Sequence, residues 1–188
     1  MKGQLIYLVG ASGSGKDTLI SHARNVIIRK QLPVIFAHRY ITRPVELFGE
    51  NHICLSEQEF KLREQKGFFV MHWQSHGNYY GIGCEIDEWL KADNMVVVNG
   101  SRGYIPLALE RYPEMQICII ETSPEKLKER LIKRGRETME EIEERLKRAN
   151  EFNIDYPNTV RINNDGSIEE TKYLFIHALT GFMVTLCM

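Results

Sequence analysis

Gly10-Ala11-Ser12-Gly13-Ser14-Gly15-Lys16-Asp17-Thr18 combines glycines, hydroxyls and one ammonium in the spacing G-x-x-x-x-G-K. Glycines let consecutive backbone N–H groups turn inward around a phosphate, and a helix beginning at once adds the positive end of its dipole. Lys16 would then reach the β- and γ-phosphates of a nucleoside triphosphate. The residue after this lysine is Asp17, where Ser or Thr is usual. Two readings of Asp17 stand: a carboxylate holding magnesium directly or through water, or a first-turn acid favoured by the helix dipole. In the second case Thr18 could supply the hydroxyl to the metal.

Other segments carry groups suited to a second anion. Arg39-Tyr40-Ile41-Thr42-Arg43-Pro44 runs on to Gly49-Glu50-Asn51-His52, and Asn99-Gly100-Ser101-Arg102 follows a later apolar run. A guanidinium presents paired donors to phosphate oxygens, so Arg39, Arg43 and Arg102 are candidates for binding a phosphorylated acceptor. Trp73-Gln74-Ser75-His76-Gly77-Asn78-Tyr79-Tyr80-Gly81 mixes aromatic and polar tips with no core period. It reads as a binding wall, with the alternative that its glycines serve only a hairpin turn.

A third set is cationic. Arg130, Arg134, Arg136, Arg145 and Arg148 are balanced by Glu137, Glu140, Glu141, Glu143 and Glu144, and Gly135 interrupts them. Most of these charges read as solvated helix pairs. Phosphoryl transfer nevertheless needs cations against the charge spreading over the γ-oxygens, and a glycine-hinged lid can deliver them while expelling water. Arg134, Arg136 and Arg145 are the lid candidates. The six histidines show no metal-ligand spacing.

Such groups must be held by a scaffold. Apolar, largely β-branched runs at 5–9, 33–37, 95–98 and 117–120 read as buried parallel strands. Between them, Leu19, Ala23, Val26 and Ile27, and later Met139, Ile142, Leu146 and Ala149, recur at helical spacing. Ser56-x-x-Glu59, Ser167-x-x-Glu170 and Ser123-Pro124 mark helix starts. The apolar end of the chain, 174–188, reads as a final helix. The order predicts one α/β domain whose strand ends, at their carboxyl side, gather the ligand groups.

A chain of 188 residues supports one core, so the whole of 1–188 is expected to be a single domain. Its substrate lobe is placed at approximately 39–92 and its lid at approximately 134–148. The net charge of −1 gives no global attraction to nucleic acid or to an anionic membrane, and sets no oligomeric state. Cys54, Cys84, Cys118 and Cys187 are scattered and fit buried reduced thiols. The apolar residues ahead of Gly10 are too few for a signal peptide or a spanning helix, so a cytoplasmic protein is expected.

These segments together resemble the guanylate kinase family: GASGSGKDT, Thr42-Arg43-Pro44, Gly49-Glu50, HGNYYG at 76–81, Arg134-Gly135-Arg136 and Asn163-Asn164-Asp165. The resemblance implies a P-loop NTPase fold, a three-layer α/β/α arrangement with a mostly parallel sheet, an inserted substrate-binding lobe and an arginine-rich lid. It also implies ATP and Mg2+. Arg43 and Tyr80 would hold the acceptor's phosphate, Arg134 and Arg145 would close on ATP, and Asn164 would lie near the adenine.

The chain departs from that family's guanine pocket. Glu46 stands where a second arginine is usual, Cys54 and Leu55 near a tyrosine, Met71 and Gly100 at acidic positions, and Ile82 where a hydroxyl is expected. A pocket without hydrogen-bonding partners discriminates poorly among bases. With GxSGSGKD, HRYITR, GENH, EID-WL, VNGSR and RGRE, the departures resemble the ribose 1,5-bisphosphate phosphokinases, a guanylate-kinase-like group of phosphonate degradation. That resemblance implies transfer from ATP to the 1-phosphate of ribose 1,5-bisphosphate, a small phosphorylated sugar. A phosphate oxygen is already ionised near neutral pH, so no dedicated base is needed. The alternatives are a guanylate or other nucleoside monophosphate kinase, and a non-catalytic guanylate-kinase-like binding module.

Overall fold

The computed structural model describes residues 3–45, 51–135, 137–150 and 155–185. Glu46, Gly49, Glu50, Arg136 and Cys187, all invoked above, lie outside them. Strands with no charged residue on either face must be covered on both sides. Residues 5–9, 95–98 and 117–120 are accordingly buried throughout. They belong to β1 (Gln4–Gly10), β7 (Met95–Asn99) and β8 (Gln116–Glu121). With β2 (Val34–Phe36) and β9 (Thr159–Asn163) the order is β2-β7-β1-β8-β9. β2 pairs with β7, and β8 with β9, both parallel.

The chain divides into two compact units, the first Met1–Tyr7 with Gln31–Met115 and the second Leu8–Lys30 with Gln116–Met188. The first holds β2, β7 and a second sheet ordered β4-β3-β6-β5. Its strands are β3 (Arg39–Ile41), β4 (Ile53–Cys54), β5 (Phe69–Ser75) and β6 (Asn78–Gly83). β3 pairs antiparallel with β6, and β6 with β5. The β5–β6 link turns through His76 at φ 49° and Gly77 at φ 71°. Two left-handed residues match the twist of a two-residue hairpin, so Gly77 serves the turn. α2 (Glu57–Gln65) starts where Ser56 Oγ accepts the Glu59 N–H at 3.1 Å. Its Phe60 is fully buried against Phe69 and Tyr79. α3 (Glu85–Lys91) packs on β7, and α4 (Ile105–Arg111) follows a short 3-10 turn at Arg102–Tyr104.

In the second unit α1 (Lys16–Lys30) buries Leu19, Ala23 and Ile27 and packs on α7 (Ile168–Thr185). α5 (Pro124–Arg134) begins at Ser123, whose Oγ accepts the Lys126 N–H at 3.4 Å. It ends at Gly135, φ 63°, a left-handed cap that glycine adopts without strain. α6 (Met139–Asn150) starts at a reciprocal box the sequence reading passed over: Thr138 N–H donates to Glu141 Oε2 at 2.8 Å, and Glu141 N–H to Thr138 Oγ1 at 3.3 Å.

Some expectations change. Met139, assigned to the apolar stripe of α6, is exposed, because the stripe that packs on Leu127 and Leu131 starts at Ile142 and continues with Leu146 and Ala149. Cys118 is buried and its thiol is pushed up to about 12 by desolvation, but Cys54 and Cys84 are exposed. Cys54 lies on the short edge strand β4, and Cys84 at the N-cap of α3. β9 had no signal above background, since only Ile162 of its five residues is buried.

Candidate functional site

The glycine-rich loop spans the turn from β1 to α1. Gly13 and Gly15 adopt φ 89° and 91°, a region closed to most side chains, and this backbone can turn successive amides toward one centre. Ser14 N–H donates to Ala11 O at 3.1 Å. The Lys16 ammonium donates to Gly10 O at 2.6 Å and to Ala11 O at 3.0 Å, with Ser14 Oγ at 3.5 Å, so it lies along the loop. Ser12 is exposed on the loop, and Asp17 and Thr18 on the first turn of α1.

Asn164 braces this loop from below. Its side chain is fully buried and Nδ2 donates to Ser14 O at 2.6 Å. A Cβ on Gly15 would meet Nδ2 at 2.6 Å, so glycine is required there by space as well as by φ. Asn164 is itself fixed, its N–H donating to Glu121 O at 2.8 Å and its carbonyl accepting from Arg130 Nη2 at 2.6 Å. Arg130 Nη1 and Asn164 Oδ1 are buried without a hydrogen-bond partner. Beside them Asp165 Oδ1 accepts the Ser123 N–H at 2.7 Å, and that bond lowers its carboxyl's pKa.

Two of the arginines named as lid candidates, Arg134 and Arg145, are brought together. Arg145 Nη1 donates to Ser12 Oγ at 2.6 Å, which sets α6 against the loop. Arg134, at the end of α5, pairs with Glu137, and Arg145 Nη2 lies 3.3 Å from the same carboxylate. The packing of Leu127, Leu131 and Ile142, with Ala11 at its edge, holds the two helices in this register.

The acceptor candidates all fall in the first unit. Tyr80 is buried and stacks on Trp73 with centroids 5.6 Å apart and planes 1° from parallel. The Arg39 guanidinium sits 5.2 Å from the centre of the Tyr80 ring. Such a stack orients a guanidinium over the ring face. Arg43 follows β3, and its carbonyl accepts from Nε2 of the buried His52 at 2.9 Å. A carbonyl only accepts, so Nε2 carries the proton. Arg102 opens the 3-10 turn, and burial lowers its pKa. A cation stripped of water in this way is stabilised by an anion close by.

Tyr7 was missed by sequence reading, because it lies inside an apolar strand run. It is fully buried, and its hydroxyl donates to Ser101 O at 3.1 Å and accepts the Ser101 N–H at 3.0 Å. Desolvation raises its pKa well above the usual phenol range. A Cβ on Gly100 would lie 2.1 Å from the Tyr7 Cζ, well inside van der Waals contact with the ring. The signal available was the phenol itself, since a buried tyrosine hydroxyl finds a partner.

The family pattern described as guanylate kinase matches residues 2–178. The chain is 50% identical over 167 residues to a protein of Desulfomicrobium baculatum named ribose 1,5-bisphosphate phosphokinase PhnN, covering 89% of both chains. It is 44% identical over 179 residues to a protein of Burkholderia pseudomallei with the same name, covering 95% of this chain and 96% of that one. Its fold is similar to the crystal structure of guanylate kinase from Anaplasma phagocytophilum, with a TM-score of 0.67 at 15% identity, over 95% of this chain and 85% of that one. The likeness shows the fold class expected above, an α/β fold with a mostly parallel sheet.

Proposed function

The chain belongs to the guanylate kinase family, and from that premise we propose that it is an ATP-dependent ribose 1,5-bisphosphate phosphokinase. It transfers the γ-phosphoryl group of ATP to the 1-phosphate of the sugar, giving 5-phospho-α-D-ribosyl 1-diphosphate and ADP, in phosphonate catabolism. The observation that carries this reading is half-identity to a relative of that name across nine-tenths of both chains. The Tyr7–Gly100 contact agrees with it, because a base-reading side chain at 100 has no room.

In this reading the loop from Gly10 to Thr18 takes the triphosphate, and Lys16, Arg134 and Arg145 neutralise the charge that develops on transfer. Arg39, Arg43, Tyr80 and Arg102 bind the sugar's phosphates. The attacking oxygen is an ionised phosphate oxygen, so these residues need only position and neutralise. The unpartnered Asn164 Oδ1 and Arg130 Nη1 beside Gly15 suit a polar ligand at the loop. We read the chain as one domain with a substrate lobe and a lid, acting in the cytoplasm, where ATP is supplied. Among the described residues no helix is long and apolar enough to cross a membrane.

Magnesium fits the exposed Asp17 carboxylate, a hard oxygen donor one residue from Lys16. Among the described residues no group of three or more His, Cys, Asp or Glu could hold a metal by itself. The ion, when bound with the triphosphate, would add charge neutralisation, with Asp17, or Thr18, as the protein's contribution. Asp17→Asn is therefore expected to raise the magnesium concentration for half-maximal rate about tenfold, by analogy with loss of one charged ligand or of its hold on a ligating water. A magnesium titration at saturating ATP checks this, and an unaltered midpoint would return Asp17 to the helix dipole.

An acceptor panel read by ADP release tests the whole assignment. Ribose 1,5-bisphosphate should be turned over far faster than GMP or any other nucleoside monophosphate. Equal turnover of GMP would replace this reading with a nucleotide kinase, and failure to bind ATP with magnesium would point to a binding module.

A further inference from the structure

Of the acids that follow α5, Glu140, Glu141, Glu143 and Glu144 on α6 are exposed to water, whereas the side chain of Glu137, between the two helices, retains only 6% of its exposure. A carboxylate sheltered to that extent needs cationic or hydrogen-bonded partners. Glu137 has both lid arginines: Arg134 donates to both its oxygens, Nε reaching Oε2 at 3.4 Å, and Arg145 Nη2 lies 3.3 Å from Oε1. Arg145 reaches on to Ser12 Oγ at 2.6 Å. One carboxylate therefore joins the end of α5, the body of α6 and the glycine-rich loop in a continuous chain of charged contacts.

We propose that Glu137 is a positioning residue, whose carboxylate holds Arg134 and Arg145 as one unit at the glycine-rich loop. Two guanidiniums brought to one place repel each other, and each has a long flexible stem. The shared anion cancels the repulsion and orients both forks. It is also placed to do so without competing for the loop, since Arg145 keeps its Nη1 on Ser12 while Nη2 faces Glu137. This inference rests on the reading that Arg134 and Arg145 serve the triphosphate.

The test compares Glu137→Gln and Glu137→Asp with the full wild-type chain in two measurements. Steady-state kinetics give kcat and the KM of each substrate, and calorimetry gives the affinity for a non-hydrolysable ATP analogue with magnesium. Glu137→Gln keeps the shape and removes the charge. It should lower kcat about 100-fold, the scale of a misplaced catalytic group, and leave the acceptor KM within roughly twofold. Glu137→Asp keeps the charge at shorter reach, and should fall between Gln and wild type.

A purely structural carboxylate would instead lower the melting temperature and leave kcat per folded molecule intact. If both kcat and analogue affinity of Glu137→Gln stay within about threefold of wild type, the proposal is overturned. A tenfold or larger fall in either, with the acceptor KM held, supports it. Should the Gln variant not fold, the same criteria apply to Glu137→Asp. The calorimetric arm needs no acceptor, so a wild-type protein that binds the analogue but ignores the sugar would refute the proposed function and leave this test standing.

Discussion

Lys16→Ala is expected to lower turnover by roughly a thousandfold, the cost of removing a preorganised donor aimed at charge that grows in the transition state. Its ammonium lies along the glycine-rich loop, on Gly10 O and Ala11 O, at the start of α1. From there it can exchange neutral carbonyls for charged phosphate oxygens without reorganising the backbone, which Asn164 and the turn at Ser14 hold. The stability change should be small, because each lost hydrogen bond to a partly solvated carbonyl contributes about 1 kcal/mol. Turnover with saturating ATP and acceptor, alongside thermal melting, checks both halves. Retained turnover in a folded variant would mean that the loop does not bind the transferred phosphate.

Gly100→Ala should have the largest effect on the acceptor side, a destabilisation of about 3 kcal/mol with a raised acceptor KM. The added methyl would lie 2.1 Å from Cζ of Tyr7, a clash with a ring that is buried and tied through its hydroxyl to both backbone groups of Ser101. The ring cannot swing aside without breaking two hydrogen bonds, and Ser101 cannot move without carrying Arg102 with it. Glycine is thus needed at 100 for close approach, since its φ lies outside the left-handed set. Denaturant unfolding and acceptor kinetics check this, and Tyr7→Phe is the companion. It keeps the ring and loses the hydrogen bonds, so it should raise the acceptor KM with the ATP KM unchanged. An alanine variant as stable and active as the parent would show that the turn at 99–102 does not set the acceptor site.

The elements that could be read from the chain are those with strong local causes. Residues 5–9, 95–98 and 117–120 are apolar on both faces, and Ser56, Ser123 and Ser167 accept the N–H three residues on. The hairpin at 69–83 stood as the alternative to a binding wall, and the left-handed His76 and Gly77 decide for the turn. β9 did not, since a strand with one buried residue in five is defined by its partner β8. The buried face of α6 was likewise blurred, because Met139 and Ile142 share a helical spacing and only packing on Leu127 and Leu131 separates them.

By itself the sequence determined the glycine-rich loop and its lysine, because spacing along one strand–turn–helix is a local property that backbone geometry converts directly into position. Which of many like charges act together was decided only by tertiary structure. Glu137 and its four acidic neighbours are equivalent as letters, yet one alone among them is shielded from water between Arg134 and Arg145. Tyr7 and Gly100 lie 93 residues apart, and Asn164 and Ser14 meet across 150. Burial, and the need to satisfy each polar group that it takes from water, are set by the fold as a whole, so no local pattern encodes them.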